Sequence, residues 1–271
     1  MLPTTKMKMK RNFNCDKLRQ NFYNEEFKLS ICKTAIINPD AKIGHNVTIN
    51  PFCVIGDCSI GDNSVIHSHV YIGDNIVIEE GVEIFNGAVI GKVPKGAGSS
   101  SRPIEYNKSI KIGNNSSICP HSIIYYDVII GNKTLIADCA SVREGCRIGD
   151  NCIISRHVSL NYNVIVGNNV KIMDGTHITG NTVIEDNVFI SVHVGSANDN
   201  KITAGYGDHV MGQIIKENAI VGLGANLLPG IEIGYGAQVG AGALVTRDVG
   251  DRQLVKGIPA KAVQDKIPAN V

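Results

Sequence analysis

From Ile112 the chain places a branched aliphatic residue at every sixth position. The series runs Ile112, Ile118, Ile124, Ile130, Ile136, Val142, Ile148, Ile154, Leu160, Val166, Ile172, Ile178, Ile184 and Ile190 without a slip. A helix turns 100° per residue, so a period of six would spread these side chains around every side of it. Six residues do suit a short strand plus a corner. The fifth position of the hexads reads Ser116, Ser122, Val128, Thr134, Ala140, Cys146, Cys152 and Val158, residues small enough to point into a narrow interior. A second period lies on top of the first. Gly113, Gly131, Gly149 and Gly167 each follow an aliphatic opener, precede Asn or Asp, and stand 18 residues apart. Three hexads therefore make one turn of a three-sided solenoid of parallel strands.

The frame begins at Ile37, loses one residue after Ile55, resumes at Ile60 and runs to Ile90. It is interrupted at about 96–111 and again at about 196–214, and returns from Ile215 to Val245. This predicts an all-β fold of about ten three-sided coils with two loop insertions. Residues 1–36 are expected as an N-terminal cap, 37–250 as the repeat, and 251–271 as a C-terminal loop and cap. The spacing of Phe13, Leu18, Phe22 and Phe27 suggests a helical segment over the first coil, whose open strand edge needs cover. Repeat proteins put insertions where they bind, so the two interruptions mark a candidate site.

Composition changes this picture little. The formal net charge of +1 gives no global field toward nucleic acid or a membrane. Of the eight cysteines, Cys53, Cys146 and Cys152 fall on the small inward position and read as core, and no C-x-x-C pair suggests zinc. Reduced thiols and the lack of a long apolar run point to the cytoplasm.

The closing segment Leu228-Pro229-Gly230, Val239-Gly240-Ala241-Gly242-Ala243, Val245-Thr246 and Gly257-Ile258-Pro259-Ala260-Lys261, with the hexads before it, resembles the hexapeptide-repeat acyltransferases. The resemblance covers about 37–262. It implies a left-handed parallel β-helix, a homotrimer, and an acyl donor bound between neighbouring prisms. From Ile84 through Asn163 the chain is similar to the lipid A UDP-N-acetylglucosamine acyltransferases; from Val188 onward it looks like the nucleotide-sugar N-acetyltransferases. The whole is most like the dTDP-3-amino-3,6-dideoxyhexose N-acetyltransferases. The implied reaction is transfer of acetyl from acetyl-CoA to the amine of a dTDP-linked amino-dideoxyhexose, for surface-glycan or lipopolysaccharide synthesis, without a metal. An O-acyltransferase is the alternative.

Within that reading, the position of the lipid A enzymes' catalytic histidine holds Glu144, and their backbone oxyanion donor falls at Tyr162. His121, His157 and His193 stand 36 apart, in one column on alternate coils; His121 and His157 are candidate catalytic groups, expected to flank Tyr125, Asp127 and Glu144. Asn86, Lys95, Arg102, Tyr125, Asp127, Asn161 and Asn163 are the candidate acceptor contacts. For the donor, Gly222, Gly240, Ala241 and Ala243 would admit a pantetheine arm, and Asn198, Arg252, Lys256 and Lys261 would complete the cofactor site. A zinc carbonic anhydrase on the same prism needs a second His four or five residues after His121 or His157, and neither has one.

Overall fold

The structure is a computed structural model that describes residues 29–96, 104–199 and 210–263, together with the backbone of 22–24. Strands of two to four residues alternate with corners, and each strand pairs in parallel with its counterpart one coil away. They stack into three sheets of 14, 11 and 10 strands, which the chain visits in the order first, second, third. The architecture is the left-handed parallel β-helix.

The hexad openers fill the interior. Ile112, Ile118, Ile136, Ile154, Leu160 and Ile172 are all 0% exposed. Each buried aliphatic stabilises the fold by about 2 kcal/mol, and identical shapes stacked a strand spacing apart leave no gaps. The small fifth-position residues also face inward. Their polar atoms are used: Ser116 Oγ donates to Gly131 O at 2.8 Å and Thr134 Oγ1 to Gly149 O at 2.9 Å. Cys146 and Cys152 Sγ donate to Asn161 O and Gly167 O, both at 3.0 Å. These cysteines therefore occupy the place of Ser and Thr, spanning one coil to the next. Burial raises both thiols, Cys146 to about 12.

The 18-residue period has its own cause. At the corner from the third sheet to the first, the Asn114 N–H donates to Asn132 Oδ1 (2.9 Å), Asn132 to Asp150 Oδ1 (2.7 Å), Asp150 to Asn168 Oδ1 (2.9 Å) and Asn168 to Asp186 Oδ1 (2.7 Å). The preceding glycine lets coils stack closely: a Cβ on Gly131 would lie 2.5 Å from the Gly149 backbone.

The prism is longer than the hexad count. Leu29–Ile31, Gly195–Ser196 and Leu254–Lys256 add rungs that lack the complete repeat pattern, so the ten expected coils become about twelve in the first sheet. Ser196 stands where an aliphatic opener should, which is why counting openers missed that rung. The ends differ from expectation as well. Residues 22–24 form a strand, antiparallel to Leu29–Ile31, rather than part of a helix; the unpaired edge of the first rung is a template for another strand. Phe13, Leu18 and Phe27 lie outside the described residues. At the other end Lys261–Ala262 folds back antiparallel onto Leu254–Lys256. No helix among the described residues is long and apolar enough to cross a membrane.

Candidate active site

Both insertions leave the prism at the same corner, the one between the second and third sheets. The first follows Ile90 and the second follows Ser196. Between them the corner is made in four consecutive coils by Tyr125-Tyr126-Asp127, Arg143-Glu144-Gly145, Asn161-Tyr162-Asn163 and Thr179-Gly180-Asn181. With a strand spacing of about 4.8 Å, the insertions frame a strip roughly 24 Å tall.

This strip holds a connected polar cluster. Lys92 Nζ donates to Tyr125 Oη at 2.8 Å and lies 4.4 Å from the ring centroid. The Arg143 guanidinium sits 5.7 Å from the Tyr125 ring and 5.8 Å from the Tyr162 ring, within reach of a cation–π attraction to both. Its Nε and Nη2 donate to the two Glu144 carboxylate oxygens at 3.2 and 3.0 Å, and Nη1 donates to Asn161 Oδ1 at 3.1 Å. The Glu144 side chain is 1% exposed, so this fork is what keeps a buried carboxylate paired. The Tyr162 ring lies over Gly180, where a Cβ would come within 2.6 Å of it. Asn198 Nδ2, at the start of the second insertion, donates to Tyr162 Oη at 3.2 Å and to Gly180 O at 3.4 Å. The cluster thus runs from the first insertion to the second through Lys92, Tyr125, Arg143, Glu144, Asn161, Tyr162 and Asn198.

No protein-family model matches the chain. An acyl-[acyl-carrier-protein]–UDP-N-acetylglucosamine O-acyltransferase from Chlamydia pneumoniae is 36% identical over 127 residues, 43% of this chain and 43% of that protein. The solved UDP-N-acetylglucosamine acyltransferase of Bacteroides fragilis 9343 superposes with a TM-score of 0.50 at 25% identity, covering 86% of this chain and 73% of that one. A serine acetyltransferase of Buchnera aphidicola is 41% identical over 51 residues, 19% of this chain and 20% of that protein. What the chain resembles in each comparison is an acyltransferase. It spans less than half the length of the curated relatives that it matches.

In this hexapeptide-repeat chain the expected site residues divide among three corners. Tyr125, Glu144, Asn161 and Tyr162 share the second corner, and Asn198, expected on the donor side, lies with them. The Tyr162 N–H, the expected oxyanion donor, gives its hydrogen to Asn161 Oδ1 at 3.0 Å. Asp127 belongs to the same corner but turns toward the third sheet, where it pairs with Arg147 at 2.7 Å. That pair lines a cleft of about 350 Å³ with Asn75, Ser109 and Lys111. Asn163 caps its coil, its Nδ2 donating to Asn181 Oδ1 at 3.1 Å. Lys95 is exposed at the start of the first insertion, and Arg102 lies outside the described residues.

His121 and His157 do not flank this cluster. They sit with His193 at the corner between the first and second sheets, as the left-handed residue of each turn (φ 58°, 56° and 55°). A second-sheet strand separates the two corners; from His121 to Tyr125 the chain runs four extended residues, about 13 Å. The His121 ring covers Gly87 and the His193 ring covers Gly175, filling space that a smaller corner residue leaves open. Asn86 is at this corner too, its carbonyl accepting from the His121 N–H at 3.1 Å.

Of the donor-side residues, Gly222, Gly240 and Ala241 continue the same first corner into the last coils. Lys256 ends the next rung and pairs across the final hairpin with Lys261. A Cβ at Gly224 or Gly242 would meet nothing within 4 Å, so this corner has open space beside it. Gly222 is required by stacking itself, since a Cβ there would lie 2.7 Å from the Ala241 nitrogen. Two residues depart from the expectation. Ala243 is 0% exposed and packs inside the prism, because it occupies the small inward position of its hexad. Arg252 is at the third corner, 5.6 Å from the Tyr235 ring.

Sequence reasoning missed Lys92 and Arg143. Both are one or two residues after a second-sheet opener, in the column of Tyr125 and Glu144. Sorting openers by turn as well as by hexad would have placed them together. Among the described residues, no group of three or more His, Cys, Asp or Glu is arranged to hold a metal ion.

Proposed function

We propose that the protein transfers acetyl from acetyl-CoA to the amine of a nucleotide-linked amino-dideoxyhexose, a dTDP sugar, in surface-glycan or lipopolysaccharide synthesis. The observation that carries this reading is the Lys92–Tyr125–Arg143–Glu144–Tyr162 cluster framed by both insertions. Two tyrosine rings with a guanidinium between them offer faces for a nucleobase, and the two cations offer charge for a diphosphate. The curated relatives matched at 35–36% identity are named for a UDP-linked sugar, a chemically similar acceptor. An open first corner at Gly224 and Gly242 suits a pantetheine arm, with Lys256 and Lys261 near its phosphates. The protein works in the cytoplasm as a homotrimer, with the cleft between chains as the reaction site. A role for His121 or His157 at the cluster requires a neighbouring chain.

The four corner triplets between the insertions contain no histidine. Glu144 is committed to Arg143. An amine suits this corner better than a hydroxyl, because it can lose its proton before attack, with a reference pKa of about 8. The name of the curated relatives favours the second reading, O-acyl transfer to a sugar hydroxyl. Acetyl-CoA with dTDP- and UDP-amino sugars, analysed by mass spectrometry before and after alkali, separates the two. An alkali-stable acetyl group on a dTDP-amino sugar is expected; an alkali-labile one establishes the O-acyl reading.

A further inference from the structure

The donor corner and the acceptor corner are joined by one surface, the outer face of the second sheet. Along that face the outward residues are Ile123, Ser141, Ser159, His177, Gly195, Asn226 and Leu244, each paired with the next one coil away. Large aliphatics close both ends, and between them the strip is small and polar. His177 is its one large member. It is two coils, about 10 Å, from the rung that leaves Gly224, and it shares its strand-to-corner path with Gly180, on which Tyr162 rests. Groups held at the two corners meet over this strip.

His177 Nδ1 is 2.7 Å from Ser159 Oγ. We infer that His177 takes the proton from the acceptor's ammonium group, with Ser159 fixing its ring. This rests on the functional reading above. In this role Nδ1–H donates to Ser159 Oγ and Nε2 carries the lone pair. The ammonium gives one proton to Nε2; the freed amine attacks the thioester carbon, forming C–N as C–S breaks. The CoA thiolate takes the second nitrogen proton, and His177 returns the first to solvent. The geometry is supported by the ring's surroundings. His177 is exposed overall, yet burial by the adjoining protein lowers its pKa below the usual imidazole value. The strands on either side, Ser159–Leu160 and Gly195–Ser196, bring no titratable group against it. The imidazole is therefore neutral, and able to accept a proton, throughout the neutral range.

The test uses the full chain with acetyl-CoA and a dTDP-3-amino-3,6-dideoxyhexose, following thiol release. His177→Gln is expected to lower kcat at pH 7 by about tenfold, the factor set by the roughly one-tenth of an amine of pKa about 8 that is free at that pH, with both KM values within about threefold. Its rate should climb with pH up to about 8, where the free amine no longer needs the base. Ser159→Ala should cost about threefold and move the acid limb of the kcat/KM profile, while Ser159→Thr should restore both. A wild-type chain that acylates no nucleotide amino sugar overturns the functional reading and this inference with it. Turnover in wild type that His177→Gln leaves unchanged in size and pH profile overturns the inference alone. An imidazole that titrates by NMR no differently in wild type and Ser159→Ala overturns the assigned role of Ser159.

Discussion

The first and second corners of this prism are made from the same hexads, in the same coils, under the same stacking rule. At the first corner one position runs Phe52, His69, Gly87, His121, Cys139, His157, Gly175, His193, Gly224 and Gly242, every one with positive φ. The position tolerates His, Cys and Gly in turn, and its backbone is what repeats. At the second corner the repeat is twice broken open, and the residues between the breaks bond to one another across coils. Tyr125, Arg143, Asn161, Tyr162 and Asn198 form one network rather than a column of equivalents. A regular column shows what the fold needs. A corner where neighbours in successive coils have become different, yet complementary, shows what the fold has been adapted to hold.

The largest expected effect falls on Arg143. It pairs a buried carboxylate, contacts two rings and holds Asn161. Arg143→Met should lower acyl transfer on the order of 100-fold, equivalent to losing about two charged hydrogen bonds, and should also lower the unfolding free energy by about 1–3 kcal/mol because the buried Glu144 carboxylate loses its guanidinium bonds. Steady-state kinetics and urea melts check the two parts. Full activity would mean that the second corner is no more than scaffold. Asn198→Ala comes next. It removes one neutral bond to Tyr162, about 1 kcal/mol, and a roughly fivefold rise in acceptor KM is expected with kcat little changed.

Thiol labelling sharpens the contrast without any substrate. Cys139 is exposed at the first corner and should react with a maleimide in the folded protein at once. Cys146 is buried directly behind the Arg143–Glu144 turn, with its thiol raised to about 12 by burial. At pH 7.5 only about one thiol in 10⁴ is ionised even if reagent could reach it, so its labelling should report unfolding. Glu144→Gln, which leaves the guanidinium without its charge partner, should speed Cys146 labelling and leave Cys139 unaffected.

The prism was legible because its signal is redundant. Fourteen openers, eight small inward residues and four Gly-Asn/Asp corners all report one geometry, and each is set by burial or by a coil-to-coil hydrogen bond. The rungs that were missed lack that redundancy: Ser196 replaces an aliphatic, and Leu29–Ile31 precedes the first full hexad. The site was legible only in part. Glu144 and Tyr162 were singled out by resemblance, Tyr125 and Asn161 were named as candidates beside them, and the structure places all four at one corner. Arg143, Lys92 and His177 carry no motif; their meaning comes from what stands one coil above or below, 18 or more residues away. The same fact misplaced His121 and His157. A period of 36 showed correctly that they share a column, but a column has no address until the corner it occupies is known.

The smallest expected effect is at His157, and it is the most exacting test of the contrast. Its ring lies outside the prism, its φ of 56° is one that Asn also adopts at ten other corners, and Cys139 and Gly175 occupy the same place in the coils on either side. Asn accepts left-handed backbone nearly as readily as any residue but Gly, so His157→Asn should keep the turn. Turnover should change by less than about threefold and stability by less than about 0.5 kcal/mol, the range of surface substitutions away from special features. A loss approaching that of Arg143→Met would carry a definite structural meaning. One chain holds His157 across a whole strand from the cluster, so its imidazole would have to act on the acceptor bound by a neighbouring chain. Mixing His157→Asn and Arg143→Met chains would then restore activity in mixed assemblies, at sites that take an intact His157 from one chain and an intact Arg143 from the other.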